Sequence, residues 1–174
     1  MLNVHDRCSL PLRNAHAGEW ADHCRTIGEA IAWQARVRGG SPALVDAESD
    51  GVTFAQLHTC IASFAGHLAR AGLTREDRVG LFVPTGAQGA QLLVALAANT
   101  TLVPLNPALT PAEIIEVAKR AEVKAIVIPA WLDTPARPAI LAHGIAVLEA
   151  VAVADGGLSL ESLGPEHSPV APVR

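Results

Sequence analysis

Arg78-Val-Gly-Leu-Phe-Val-Pro-Thr-Gly-Ala-Gln-Gly89, continuing through Ala90-Gln-Leu-Leu-Val-Ala-Leu-Ala-Ala-Asn99 to Thr100-Thr-Leu-Val-Pro-Leu-Asn-Pro-Ala-Leu-Thr-Pro-Ala-Glu113, decides the fold. Between Arg78 and Glu113 lie 34 residues without a charge. A surface element keeps charges on its wet face, so a charge-free strand, helix and strand in series must be covered on both sides. A membrane span is excluded, because Pro84, Gly86, Gln88, Gly89, Gln91, Asn99 and Thr100 interrupt the run well short of ~20 apolar residues. The stretch reads as the middle of an α/β core.

The same pattern extends outward in both directions. Arg78–Val83 is a predicted strand, Ala87–Ala98 a buried helix and Leu102–Pro104 a short strand. A helix follows over Pro111–Ala121, with Thr110-Pro111-Ala-Glu113 supplying an N-cap, a proline at the first helical position and a capping box. Lys124–Ile128 is the next strand, Thr134-Pro135 opens a short helix, and Ile145–Ala154 contains a last strand. Upstream, Thr26-Ile-Gly-Glu29 and Thr53-Phe-Ala-Gln56 are two more capping boxes. The first opens a helix with Ile27, Ile31 and Ala35 on one face, stopped at Gly39-Gly40. The second opens a helix with Leu57, Ile61, Phe64 and Leu68 on one face, ended by Gly72. Between them, Ala43–Asp46 and Gly51–Phe54 form a short N-terminal β-hairpin. Alternating strands and helices with short connections predict an α/β fold: a parallel, Rossmann-like sheet with helices on both faces. Residues 1–25 read as an N-terminal loop segment, 26–163 as the α/β unit and the proline-containing 164–174 as a linker.

Composition bounds the function. The chain has 174 residues, enough for one domain, and only 17% of them are charged, against ~25% in an ordinary soluble domain. That deficit points to faces normally covered by more protein or by self-association. The net charge of −4, with basic residues scattered among acids as in Arg75-Glu-Asp-Arg78, argues against nucleic acid as a partner. The N-terminus carries Asp6 and Arg7 where a signal peptide needs an apolar core, and three cysteines (Cys8, Cys24, Cys60) set no disulfide framework. The expectation is a cytoplasmic protein.

Four motifs invite a site, and their chemistry weakens each. Asp46-Ala-Glu-Ser-Asp-Gly51 copies the front of an EF-hand loop, but the twelfth position, where a bidentate Glu belongs, is Leu57. His5, Cys8, His16, His23 and Cys24 have no spacing that organises a zinc site. Cys60 reads as a small core residue, with His58 and His67 beside the same apolar face and half exposed. Gly86 and Gly89 follow a strand and open a helix, as in a dinucleotide fingerprint. Pro84 stands where its first glycine belongs, and no acid ends the next strand. A Rossmann-like nucleotide-binding domain therefore stays open as an alternative, as does a non-catalytic binding or structural module.

Several elements together resemble the adenylate-forming enzymes: acyl-CoA synthetases, luciferase-like ligases and adenylation domains of peptide synthetases. They are Ala43-Leu-Val-Asp46, Thr53-Phe-Ala-Gln-Leu57, Leu68–Gly72, Asp77-Arg-Val79, Val103-Pro-Leu-Asn-Pro107 and Thr110–Ile114, in the family's order, over Thr26 to about Pro129. Asn99-Thr-Thr101 departs from the Gly-containing turn usual before Val-Pro, and Asn is there read as the residue that tolerates a left-handed backbone. Ala108 stands where some relatives carry a basic residue near the coenzyme A phosphate. The family's Ser/Thr/Gly-rich phosphate loop, ending near a Lys, has no counterpart before Arg174. The resemblance therefore implies the N-terminal subdomain of a carboxylic acid–thiol ligase, followed in relatives by the missing ATP-binding subdomain. For the parent enzyme it implies ATP, Mg²⁺ and coenzyme A as cofactors, an acyl substrate and a place in fatty acid metabolism. For this chain it implies no catalytic, cofactor-binding or metal residue, inactivity on its own, and a partner in the remaining part of the same enzyme. The helix Ala87–Ala98 is the face expected to meet that part.

Overall fold

The computed structural model describes residues 24–47, 51–153 and 157–163. The elements are α1 (Ile27–Arg38), β1 (Pro42–Leu44), β2 (Val52–Thr53), α2 (Phe54–Arg70), β3 (Arg78–Phe82), α3 (Gly86–Asn99), β4 (Thr101–Leu105), α4 (Pro111–Arg120), β5 (Ala125–Pro129), α5 (Ala136–Ala142), β6 (Ala146–Ala152) and β7 (Leu158–Leu163). β1 and β2 pair antiparallel as a hairpin, and the other strands form one sheet in the order β4-β3-β5-β6-β7. All its pairings are parallel except β6 with β7. Pro104, which has no N–H to give, sits on the edge strand β4.

Both faces of the sheet are covered, and the side-chain period of two shows it. Val79, Leu81, Ala125, Val127, Leu148 and Ala150 face one core, closed by Leu57, Phe64 and Leu68 of α2 and by Leu92, Ala95 and Leu96 of α3. Phe82, Ile126, Ile128 and Val147 face the other, closed by Ile114, Ile115 and Ala118 of α4 and by Ala136 and Ile140 of α5. This is why β3 and β5 read as continuous apolar runs.

All three capping boxes form, at Thr26–Glu29, Thr53–Gln56 and Thr110–Glu113. The α2 face Leu57, Ile61, Phe64, Leu68 is buried as expected. Gly72 ends that helix at φ +74°, with Leu73 N–H donating to the Leu68 carbonyl at 2.9 Å.

Four details differ from the sequence reading. The α1 face is only half covered: Ile31 packs on the first core, but Ile27 is 48% exposed and no α1 residue is fully buried. Helix α3 is not a bare face awaiting other protein, because Ala87, Gly89, Gln91, Leu92, Ala95, Leu96 and Ala98 are already buried beneath α1, α2 and the sheet. Asn99 has no left-handed backbone. It closes α3, and its Nδ2 donates to the carbonyls of Ile61 and Ala95, both at 2.9 Å, tying α3 to α2. The strand β7 is new. It has no helix before it, so it returns antiparallel along β6 instead of continuing the βα alternation. Residues 1–23 of the N-terminal loop segment 1–25 and the linker 164–174 lie outside the described residues, as do His5, Cys8, His16, His23 and the hairpin acids Glu48 and Asp50.

Candidate functional site at the carboxyl edge of the sheet

The sheet order fixes where a site can form. After β3 the chain passes through α3 to β4 on one side of β3. After β4 it passes through α4 to β5 on the other side. In open α/β sheets the crevice outside the carboxyl ends of the strands, where the order reverses, is the usual ligand position. Here that crevice lies between the segments leaving β3 (Val83-Pro-Thr85) and β5 (Ala130–Pro135), beside the segment leaving β4 (Asn106–Thr110).

The helix N-terminus at this point would be the natural seat of a phosphate. It is filled from within. The Asp46 carboxylate, from the hairpin loop, accepts the Ala87 N–H through Oδ2 at 2.7 Å, while Thr85 at the N-cap position makes no side-chain cap bond. Gly86 holds φ +86°, and a Cβ there would stand 3.2 Å from the same Asp46 oxygen. A Cβ on Gly89 would lie 2.1 Å from the Pro84 carbonyl oxygen. Both glycines are thus explained by a tight loop-to-helix turn and a packed helix. One of the donors that a dinucleotide pyrophosphate would use, the Ala87 N–H, is already engaged by a carboxylate.

The segment Leu105-Asn-Pro107 is also self-contained. Asn106 Oδ1 accepts the Ala108 N–H at 2.9 Å, and the Asn106 carbonyl accepts from Leu109 at 3.1 Å, a local turn of the kind Asn favours. The turn delivers Thr110, whose backbone N–H donates to Glu113 Oε2 at 2.8 Å. The hydrogen bonds from Thr110, side chain first and then backbone, hold the Glu113 carboxyl below its ordinary value. Ala108 is exposed and apolar, so this chain offers no cation after Asn-Pro. Leaving β5, Trp131 is 43% exposed, and Val153, just past β6, is exposed on the same edge.

Other residues singled out by the sequence are dispersed. His58 is exposed on α2. His67 is half buried, packs edge-on against Phe64 at 6.5 Å, and has its pKa lowered by burial and secondarily by Arg70. Leu57, the would-be twelfth EF-hand position, is a core residue at 2% exposure. Cys60 is buried, and burial pushes its thiol up to about 11, against smaller lowering effects of the Leu158 N–H and the Gln91 amide beside the sulfur. Among the described residues no group of three or more His, Cys, Asp or Glu side chains could hold a metal ion. None of the described helices is long and apolar enough to cross a membrane.

Comparison with known proteins decides the family. The model of the AMP-binding enzyme family matches residues 31–171. The chain belongs to the AMP-binding enzyme family. A medium-chain acyl-CoA ligase, ACSF2 of Macaca fascicularis mitochondria, is 33% identical over 112 residues, which cover 63% of this chain and 18% of that protein. Among solved structures, the N-terminal domain of FACL13 from Mycobacterium tuberculosis matches with TM-score 0.54 and 27% identity, over 68% of this chain and 30% of that one. MatB from Rhodopseudomonas palustris matches with TM-score 0.60 and 23% identity, over 77% and 26%. The chain thus spans well under half the length of these relatives. The adenylate-forming resemblance and the α/β fold, a mostly parallel sheet flanked by helices, both hold.

Proposed function

We propose that this chain is the N-terminal scaffold of an ATP-dependent carboxylate-activating ligase. In that reaction the acid attacks the α-phosphate of ATP, pyrophosphate leaves, and the acyl adenylate passes to a thiol such as coenzyme A. The observation that carries the reading is the family match over 31–171. It is joined by a carboxyl edge whose helix N-terminus is capped internally by Asp46. In support of this reading, the Asp46 carboxylate holds the Ala87 N–H at the switch point, and its negative charge opposes a phosphate of ATP at that seat. No step through ATP, Mg²⁺ or coenzyme A is therefore assigned to the described residues. Their role is to hold the sheet and offer part of the acyl-pocket wall along Val83-Pro84 and Trp131, while the chemistry belongs to the remaining part of a ligase. The acyl substrate class and a cytoplasmic setting belong to the same proposal.

The test is carboxylate-dependent exchange of pyrophosphate into ATP, using the 174-residue chain and a panel of short-, medium- and aromatic acids. The expected result is the background rate with every acid. Exchange above background overturns the scaffold reading and makes this chain an adenylating enzyme in its own right. In parallel, titration with NAD and FAD should give no saturable binding, because the pyrophosphate seat is occupied.

A further inference from the structure

The strand β7 differs from its neighbours in three independent ways. It is the one antiparallel member of the sheet and pairs with β6 alone. Its register sets Glu161 opposite Glu149, and like charges directly opposite oppose pairing. Glu149 already gives its carboxylate to Arg137, at 2.5 Å, so the guanidinium is shared by no bond with Glu161. Finally, Leu158 and Leu160 of β7 pack on α2 in the core that also holds Leu92 of α3, beside which Gln91 is completely buried, and neither its Nε2 nor its Oε1 makes a hydrogen bond. The amide stands near enough to the Cys60 sulfur to act on its ionisation without reaching bonding geometry. Lifting β7 separates the two glutamates and lets water reach the amide, so two unfavourable features are relieved by one motion.

We propose that β7 is a strap that opens as a unit, with the rest of the sheet intact, and that opening uncovers Cys60 and Gln91. Cys60 is then a gated thiol: shielded in the closed form, accessible only when the strap is lifted. The inference is independent of the proposed ligase role.

The experiment uses the full chain with Cys8→Ser and Cys24→Ser, leaving Cys60 as the single thiol. The probe is a dithiobis-nitrobenzoate, whose disulfide the Cys60 thiolate attacks to form a mixed disulfide and release thionitrobenzoate. The expected labelling rate is flat across dilute urea and rises only where the whole domain unfolds. The Ser159 and Glu161 amides, which the register directs at β6, exchange with solvent through the same opening, well before Ile126 and Val127. Glu161→Lys, on an exposed site and facing the Glu149 carboxylate, slows labelling about two- to fivefold. Gln91→Leu slows it as well, by removing the unsatisfied amide. A labelling rate that tracks global unfolding from zero urea, or one unchanged by both variants, overturns the strap.

Discussion

The two ends of the sheet are built differently. At the amino edge, the segments entering β3 and β5 carry Arg75, Glu76, Asp77, Glu122 and Lys124. Asp77, Lys124 and Glu122 are used within this edge. Asp77 accepts the Thr74 N–H at 2.7 Å and the Thr74 hydroxyl at 2.9 Å, and pairs with Lys124. Arg78 pairs with Glu122, while Lys124 N–H donates to the Arg78 carbonyl at 2.9 Å. The segments leaving β3, β4 and β5 carry one charge, Asp133, and leave Trp131 exposed. The amino edge satisfies itself, and the carboxyl edge keeps apolar surface for something else. That division matches the usual one in α/β proteins, with stability at one end and function at the other.

The largest break in this comparison is at the carboxyl edge. Gly89→Ala sets a methyl 2.1 Å from a backbone oxygen that no rotamer can move, so α3 must shift away from the Pro84 loop. The expected loss is about 3 kcal/mol, the upper range for overpacking, read from urea denaturation. A wild-type-like midpoint would show that the loop yields freely and is not a fixed wall. At the amino edge, Asp77→Ala strips a carboxylate that is 8% exposed from three donors, and about 2 kcal/mol should be lost. The figure is held below that of a fully buried pair because the Lys124 side chain is 38% exposed.

The pairing with Lys124, and then the Thr74 bonds, lower the Asp77 pKa from its ordinary 3.8. A carboxyl whose folded pKa is depressed contributes stability that is present above 3.8 and lost as pH falls below it through the folded value. Asp77→Asn should therefore be less stable than wild type at neutral pH. The gap should narrow on acidification below 3.8. A gap independent of pH, measured by thermal denaturation in matched buffers, would sink the assignment.

How much of this was legible depends on how far apart the partners lie. The charge-free run gave the strand–helix–strand order because burial on both faces is written in composition. Thr26, Thr53 and Thr110 gave the helix starts because a capping box spans four consecutive residues. The α2 core face was readable from the spacing of Leu57, Ile61, Phe64 and Leu68. Contacts between distant segments have no such signature. Asp46 reaches Ala87 across 41 positions and Asn99 reaches Ile61 across 38, and no periodicity marks either. The plugged helix N-terminus therefore looked like half a nucleotide fingerprint, and Asn99 looked like a turn. Leu158-Ser-Leu160 does alternate, but two leucines are too few to distinguish a strand from a loop.

Two smaller effects sharpen the contrast between the edges. Asp46→Ala removes the cap from α3, at a cost of about 1 kcal/mol. It also frees the Ala87 N–H and the positive end of the helix dipole. Inorganic phosphate should then raise the Tm of this variant more than that of wild type. Equal shifts would mean that the carboxylate was not holding an anion seat. The smallest effect belongs to the amino edge. Glu122 has a left-handed backbone, φ +51°, just past the end of α4, where glycine costs nothing. Its pairing with Arg78 is between exposed side chains, 46% and 77% accessible, and such pairs contribute little. Glu122→Gly therefore exchanges a weak ion pair for relief of a strain of about 1 kcal/mol. The variant should match or slightly exceed wild type in Tm. A clear loss would mean that the Arg78–Glu122 pair is part of a coupled network with Asp77 and Lys124, and that the charged edge is stronger than its separate bonds.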